Sequence, residues 1–277
     1  MLAVFITLTL GLGAIAWLAS SRWRKTLHRK RVMASAFPKA WRTILKKRLP
    51  YFHALPADLQ LQLKRHIQVF LDEKRFVGCD GLQITDEIRV TIAAQACLLL
   101  LNRNTDFYPN LRQILVYPDA FIVDSQRQDP AGLIWEQRNV LAGESWEQGQ
   151  VILSWKNTLE GAANPHDGNN VVIHEFAHQL DQEDGHANGA PILQRRQDYL
   201  SWSSVFSQAY NELVQAAALG RPSLFNYYGA TNPAEFFAVV TEVFFEKPEA
   251  LNLEHPALYR ELSHFYQLDP INWHCSN

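Results

Sequence analysis

His174 and His178 stand four residues apart, with Glu175 directly after the first, in the run His174-Glu175-Phe176-Ala177-His178. On a helix, residues four apart share a face, so the two imidazoles can bind one metal ion together. Glu175 lies one step round, where its carboxylate can reach a metal-bound water rather than the metal. Those parts suit metal-assisted hydrolysis, in which the carboxylate takes the proton of the attacking water. The flanks are apolar: Val171, Val172 and Ile173 lead in, and Leu180 follows. A helix with so many apolar neighbours has no structural need for two histidines and a glutamate.

A zinc site of this type needs a third protein ligand and one open position. Asp184 lies six residues after His178, a spacing some zinc endopeptidases use, but the glycine they need midway is here Asp181. His186 is slightly further on, at a spacing that matches no pattern. The remaining candidates are on a downstream helix that starts at Asn232-Pro233-Ala234-Glu235-Phe236-Phe237. Asn232 as N-cap and Pro233 at the first helical position make a good helix start, and Glu235 could serve as its capping carboxylate. Yet Phe236, Phe237, Val240, Phe244 and Phe245 make the helix largely apolar, and Glu242 shares a face with Glu235. Two carboxylates inside so apolar a helix require cationic or donor partners, which zinc and its histidines would supply. On spacing alone Glu235 and Glu242 stand level as third ligand.

Three stretches together resemble the Mlc titration factor A family of zinc-dependent peptidases. They are the run from Asn170 to Asp181, the run Asn232-Pro233-Ala234-Glu235-Phe236-Phe237-Ala238-Val239, and Leu141-Ala142-Gly143-Glu144-Ser145-Trp146. The likeness extends from about Trp41 to Pro270. It implies a zincin-like, gluzincin-type fold in which His174, His178 and a glutamate of a later helix bind Zn2+. The Pro-Ala-Glu position makes that glutamate Glu235, and Glu242 becomes the candidate for orienting a histidine ligand. The same resemblance points to Tyr228 as a hydroxyl that stabilises the oxyanion, with neighbouring Tyr227 as the confound. Asp181 is a candidate acceptor for the second nitrogen of a zinc histidine. The implied activity is hydrolysis of a peptide or protein, with Glu175 as general base. The family name also implies a regulatory protein partner, so a membrane-tethered regulatory protein is the alternative function.

The elements that must hold these residues follow from the hydrophobic pattern. Residues 59–70 read as a helix with Leu59, Leu63, Ile67 and Phe70 on one face, and 86–101 as a buried helix capped by Thr85 or Asp86. Residues 38–56 read as a short amphipathic helix. Strand signals cover 113–117, 120–123 and 151–155, with a polar turn at 125–130. The strand at 151–155 is a candidate edge for pairing with an extended substrate. The C-terminal hundred residues read as helical. Helical N- and C-terminal lobes around a small sheet make the class α+β.

The 277 residues carry a formal net charge of −2, which gives no sign of direct nucleic-acid binding. Charge is nonetheless uneven: Arg22, Arg24, Lys25, Arg29, Lys30 and Arg31 crowd one stretch, followed by Lys39, Arg42, Lys46, Lys47 and Arg48. Before them, residues 2–19 carry no charge, long enough to cross a bilayer. The expected organisation is a transmembrane helix over 1–20, a basic juxtamembrane segment over 21–37 and a zinc peptidase domain over 38–270. Positive charge after the apolar run places the catalytic domain on the cytoplasmic side of the cell membrane as a single-pass protein. Cys79, Cys97 and Cys275 show no paired spacing, which fits a reducing compartment.

Overall fold

A computed structural model describes residues 20–274, apart from 105, 129–133, 142 and 147–148; at 121–128, 134–141, 144–146 and 274 it describes the backbone alone. The transmembrane helix expected over 1–20 therefore lies outside the described residues, Ser20 excepted. Among the described residues, no helix is long and apolar enough to cross a membrane.

Five helices and a strand come first: α1 (Ser21–Ala34), α2 (Lys39–Arg48), α3 (Tyr51–Ala54), α4 (Ala57–Glu73), β1 (Arg75–Gly78) and α5 (Asp86–Leu98). The basic segment is helix α1, tied to α4 and the 102–112 loop through Arg29 on Glu73 and Asp106 and through His28 on Asp72. The helix expected over 38–56 breaks in two, because Pro50 drives Leu49 out of helical geometry. In α4, Leu59, Leu63, Ile67 and Phe70 are all buried, as their three- and four-residue spacing dictates. Thr85 caps α5 by accepting from the Ile88 amide.

The sheet is built from β1, β2 (Gln113–Tyr117), β6 (Gln150–Ser154) and β5 (Gly143–Trp146), in the order β1-β2-β6-β5. The first three are parallel and β5 runs antiparallel to β6. Parallel neighbours need long crossovers, and α5 supplies the one from β1 to β2. A separate hairpin, β3 (Phe121–Gln128) with β4 (Ile134–Leu141), lies between β2 and β5 in sequence. Its register carries β3 past the polar stretch that reads as a turn from Ser125. Strand β6 is interior, flanked by β2 and β5, so the edge next to the motif helix is β5 and not residues 151–155.

The helices that carry the chemistry come last: α6 (Trp155–Ala163), α7 (Val171–Asp181), α8 (Asp198–Leu219), α9 (Pro233–Glu246), α10 (Pro248–Glu254), α11 (Pro256–Tyr266) and α12 (Ile271–His274). The mixed architecture of helices around a small sheet is the one the pattern implies, although the sheet is mainly parallel. Helix α7 is anchored from below by Phe176, whose ring meets Tyr108 at 4.8 Å and Phe70 at 5.7 Å between centroids. Helix α9 is buried along nearly its whole length, so seven- and four-residue steps on it define a fixed interior row.

Candidate metal centre

Asn170 starts α7 by accepting from the Ile173 amide through its side chain, at 3.1 Å. Asn232 starts α9 in the same way, accepting from the Glu235 amide at 3.0 Å. Both helix starts are therefore set by an asparagine cap, four residues before His174 in one and three before Glu235 in the other. Glu235 does not turn back to close a capping box. Its carboxylate points across to α7 and meets His174 Nε2 at 3.0 Å and His178 Nε2 at 3.3 Å, while the two Nε2 atoms stand 3.2 Å apart.

This triangle fits a metal better than it fits hydrogen bonds. If both imidazoles donate to Glu235, nitrogen still faces nitrogen across the third edge. A cation at the centre serves all three edges at once. Ligand atoms about 2.0–2.1 Å from a tetrahedral zinc stand roughly 3.3–3.4 Å apart, close to the separations here. Charge points the same way. Burial opposes a proton on His174, but hydrogen bonds to Glu235 and Glu242 outweigh it and lift its pKa well above the ordinary value. Burial also works against a charge on Glu235, yet bonds to the two histidines bring its carboxyl down to about 2. The centre attracts positive charge. Among the described residues, His174, His178 and Glu235 form the one such grouping able to hold a metal ion.

Glu242 lies behind this triangle. Its Oε1 is 2.8 Å from His174 Nδ1, and its Oε2 accepts the Asn170 amide. Were Nδ1–H donated to Glu242 and a metal bound, the Nε2 lone pair of His174 would face the centre of the triangle. Glu175 is buried on α7, and its Oε1 lies against Gly143 of β5. Tyr228 stands in a 3₁₀ turn (Tyr227–Ala230), its ring 5.9 Å from that of His174, and it lines the same cleft. Tyr227 turns away and donates its hydroxyl to the Arg221 carbonyl. The cleft, of about 370 Å³, runs from His174, Glu175 and Tyr228 past Gly143 to Asn157 and Glu160.

Asp181 has a different neighbour from the expected one. Its Oδ2 accepts the Gly189 amide at 2.8 Å, and among the described residues no hydrogen bond joins it to either histidine. Gly189 in turn abuts the Pro233 carbonyl, and Trp202 Nε1 donates to the Gly189 carbonyl. Asp181 thus ties the end of α7 to the start of the helix that carries Glu235. Asp184 and His186 sit in an exposed turn outside the triangle, with the His186 amide donating to Asp184.

Glu246 was not a candidate from sequence, although it continues the row from Glu242 by one helical turn. It is buried and accepts from the Gly168 and Asn169 amides at 3.0 and 3.1 Å and from Asn170 Nδ2 at 3.0 Å. It therefore holds the loop that delivers the chain into α7. Burial, with Asp167 and Glu242 nearby, raises its pKa to about 8.

A family model described as glucose-regulated metallo-peptidase M90 matches residues 22–267. An uncharacterized protein of Synechocystis sp. is 43% identical over 272 residues, covering 98% of this chain and 99% of the relative. Proteins named Mlc titration factor A are similar too. The one from Enterobacter sp. is 34% identical, and the one from Klebsiella pneumoniae subsp. pneumoniae is 35% identical. Each of these alignments covers 80% of this chain and 84% of the relative.

Proposed function

The chain belongs to the glucose-regulated metallo-peptidase M90 family, and from that premise we propose that it is a zinc-dependent peptidase anchored in the cell membrane, with its catalytic domain on the cytoplasmic side. The observation that carries the reading is the triangle of His174, His178 and Glu235 with Glu175 beside it. These three side chains would hold Zn2+, which when bound supplies a Lewis acid for the water and the scissile carbonyl. Glu175 takes the proton of the attacking water and returns it to the leaving amine. Tyr228 donates its hydroxyl to the oxyanion as charge develops there. Glu242 keeps His174 in the tautomer that leaves Nε2 free. Strand β5 offers an edge for an extended peptide beside Glu175. A gluzincin-type zincin domain is the fold this reading requires, and the uncharged run at 2–19 followed by basic α1 is what supports the anchor.

One observation favours a second reading. The relatives named Mlc titration factor A carry in that name the titration of a protein, Mlc. By analogy this chain would bind a regulatory protein on its cytoplasmic face, with or without cleaving it. Zinc content and cleavage of a peptide library, measured on the full chain in detergent with wild type and Glu175→Gln, separate the readings. Stoichiometric zinc with cleavage lost in Glu175→Gln is expected. Stoichiometric zinc without cleavage by wild type would remove the peptidase reading and leave the binding one.

A further inference from the structure

None of the 28 Asp and Glu residues precedes Asp58, whereas eleven of the 26 Lys and Arg lie between Arg22 and Arg48. The structure divides those cations into two groups. Lys25 and Arg29 are spent on Asp106 and Glu73, stapling α1 to the domain, and Lys47 and Arg48 are spent on Glu87. Arg22, Lys30 and Arg31 on α1 and Lys39, Arg42 and Lys46 on α2 are exposed and have no ion pair among the described residues.

Their placement is not that of a loose basic tail. Lys39, Arg42 and Lys46 fall at three- and four-residue steps, one outward stripe of α2, while Leu45 to one side of it is buried. Because α1 is clamped by Arg29 and His28, its free cations are held outward at a fixed orientation. Between α1, α2 and α4 a cleft of about 530 Å³ opens, with the apolar Val32, Pro38, Trp41 and Leu71 in its lining beside His28, Arg31, Gln68 and Asp72. Trp23, in the first turn of α1 and 66% exposed, stands just after the uncharged run.

We propose that this α1–α2 face is a docking surface for an anionic lipid bilayer, resting on the membrane-anchor reading above. Cationic rims meet anionic headgroups, the apolar side chains of the cleft between them (Val32, Pro38, Trp41 and Leu71) meet acyl chain, and Trp23 sits at the level of the interface. Apolar side chains between cations are what a lipid surface uses and a nucleic-acid backbone does not. The chain that enters α1 from residues 2–19 brings the face to the bilayer. The result is a catalytic domain held against the membrane in one orientation rather than swinging on a tether.

Lysine acylation footprinting on the full chain tests this, using nanodiscs of zwitterionic lipid or of the same lipid with anionic phosphatidylglycerol. Labelling of Lys30, Lys39 and Lys46 is expected to fall severalfold in the anionic discs and to recover at high salt, with Lys156 unchanged. Equal labelling in both discs would overturn the proposal, and protection by added duplex DNA instead would give the face to nucleic acid. The variant Lys39→Gln/Arg42→Gln/Lys46→Gln should lose the protection at Lys30, each cation contributing about fivefold in lipid affinity; retained protection also overturns it. Failure of the anchor looks different. A chain without a spanning segment stays out of zwitterionic discs altogether, and the lysines are then read on anionic vesicles, where protection supports the docking face and its absence overturns it.

Discussion

A methyl group added to Gly143 would lie 2.6 Å from Oε1 of Glu175 and 2.6 Å from Cγ2 of Val171. The edge strand β5 therefore passes so close to the motif helix that a side chain there displaces Glu175. Gly143→Ala is expected to keep its metal and its fold while kcat/KM falls roughly tenfold to hundredfold, the equivalent of about 1–3 kcal/mol of overpacking. Steady-state kinetics beside a zinc assay checks this. Unchanged kinetics would mean that β5 does not position Glu175.

Glu235 and Glu242 both meet His174, but from opposite nitrogens. Removing Glu242 leaves the three ligand atoms in place and frees the imidazole to rotate, so Glu242→Ala should weaken zinc binding about 10- to 100-fold. Glu235→Ala removes a ligand and should weaken it far more. Competition with a chromogenic chelator ranks the two variants, and the reverse order would move the third ligand to Glu242.

That pair also marks where sequence reasoning stops. The four-residue step from His174 to His178 and the seven-residue step from Glu235 to Glu242 are local, and helical periodicity makes them legible. Which carboxylate faces the ligand nitrogens depends on how α9 crosses α7, a tertiary fact that spacing cannot hold, and family likeness supplied the choice. Asp181 is legible as an acid near the motif and a candidate partner for a histidine, but its partner Gly189 comes from a loop whose path has no periodic signal. Gly143 stands in a stretch that carries the family likeness, and its place there follows from the close approach of β5 to Glu175. Strands β1, β4 and β5 are short or polar, so hydrophobic alternation does not reveal them, and β6 becomes interior only once β5 pairs along its free side.

Tyr227 and Tyr228 are adjacent and chemically identical, so exchanging each for Phe isolates geometry. Tyr228→Phe should lower kcat about 10²- to 10³-fold with little change in KM, as expected when a donor acts mainly on the oxyanion. Tyr227→Phe loses the bond to the Arg221 carbonyl and should leave kcat within about twofold. Equal losses in both variants would show that the turn, and not the Tyr228 hydroxyl, matters.

His66 on α4 gives the fold a pH dependence separate from the metal. The residue is buried, its ring stands edge-on to Phe107 at 5.1 Å, and among the described residues its Nδ1 has no hydrogen-bond partner. Burial lowers its pKa to about 4 from the ordinary 6.5. Between those values the unfolded chain binds a proton that the folded chain does not. Stability from this group is therefore complete above pH 6.5 and declines as pH falls toward 4, by up to about 1.4 kcal/mol per pH unit. His66→Phe removes the titration while keeping a ring against Phe107. Urea denaturation at pH 7 and pH 5, with chelator present so that metal linkage does not contribute, should show wild type losing more stability than the variant. If both lose the same amount, His66 is protonated in the folded protein and the acid sensitivity arises from other groups.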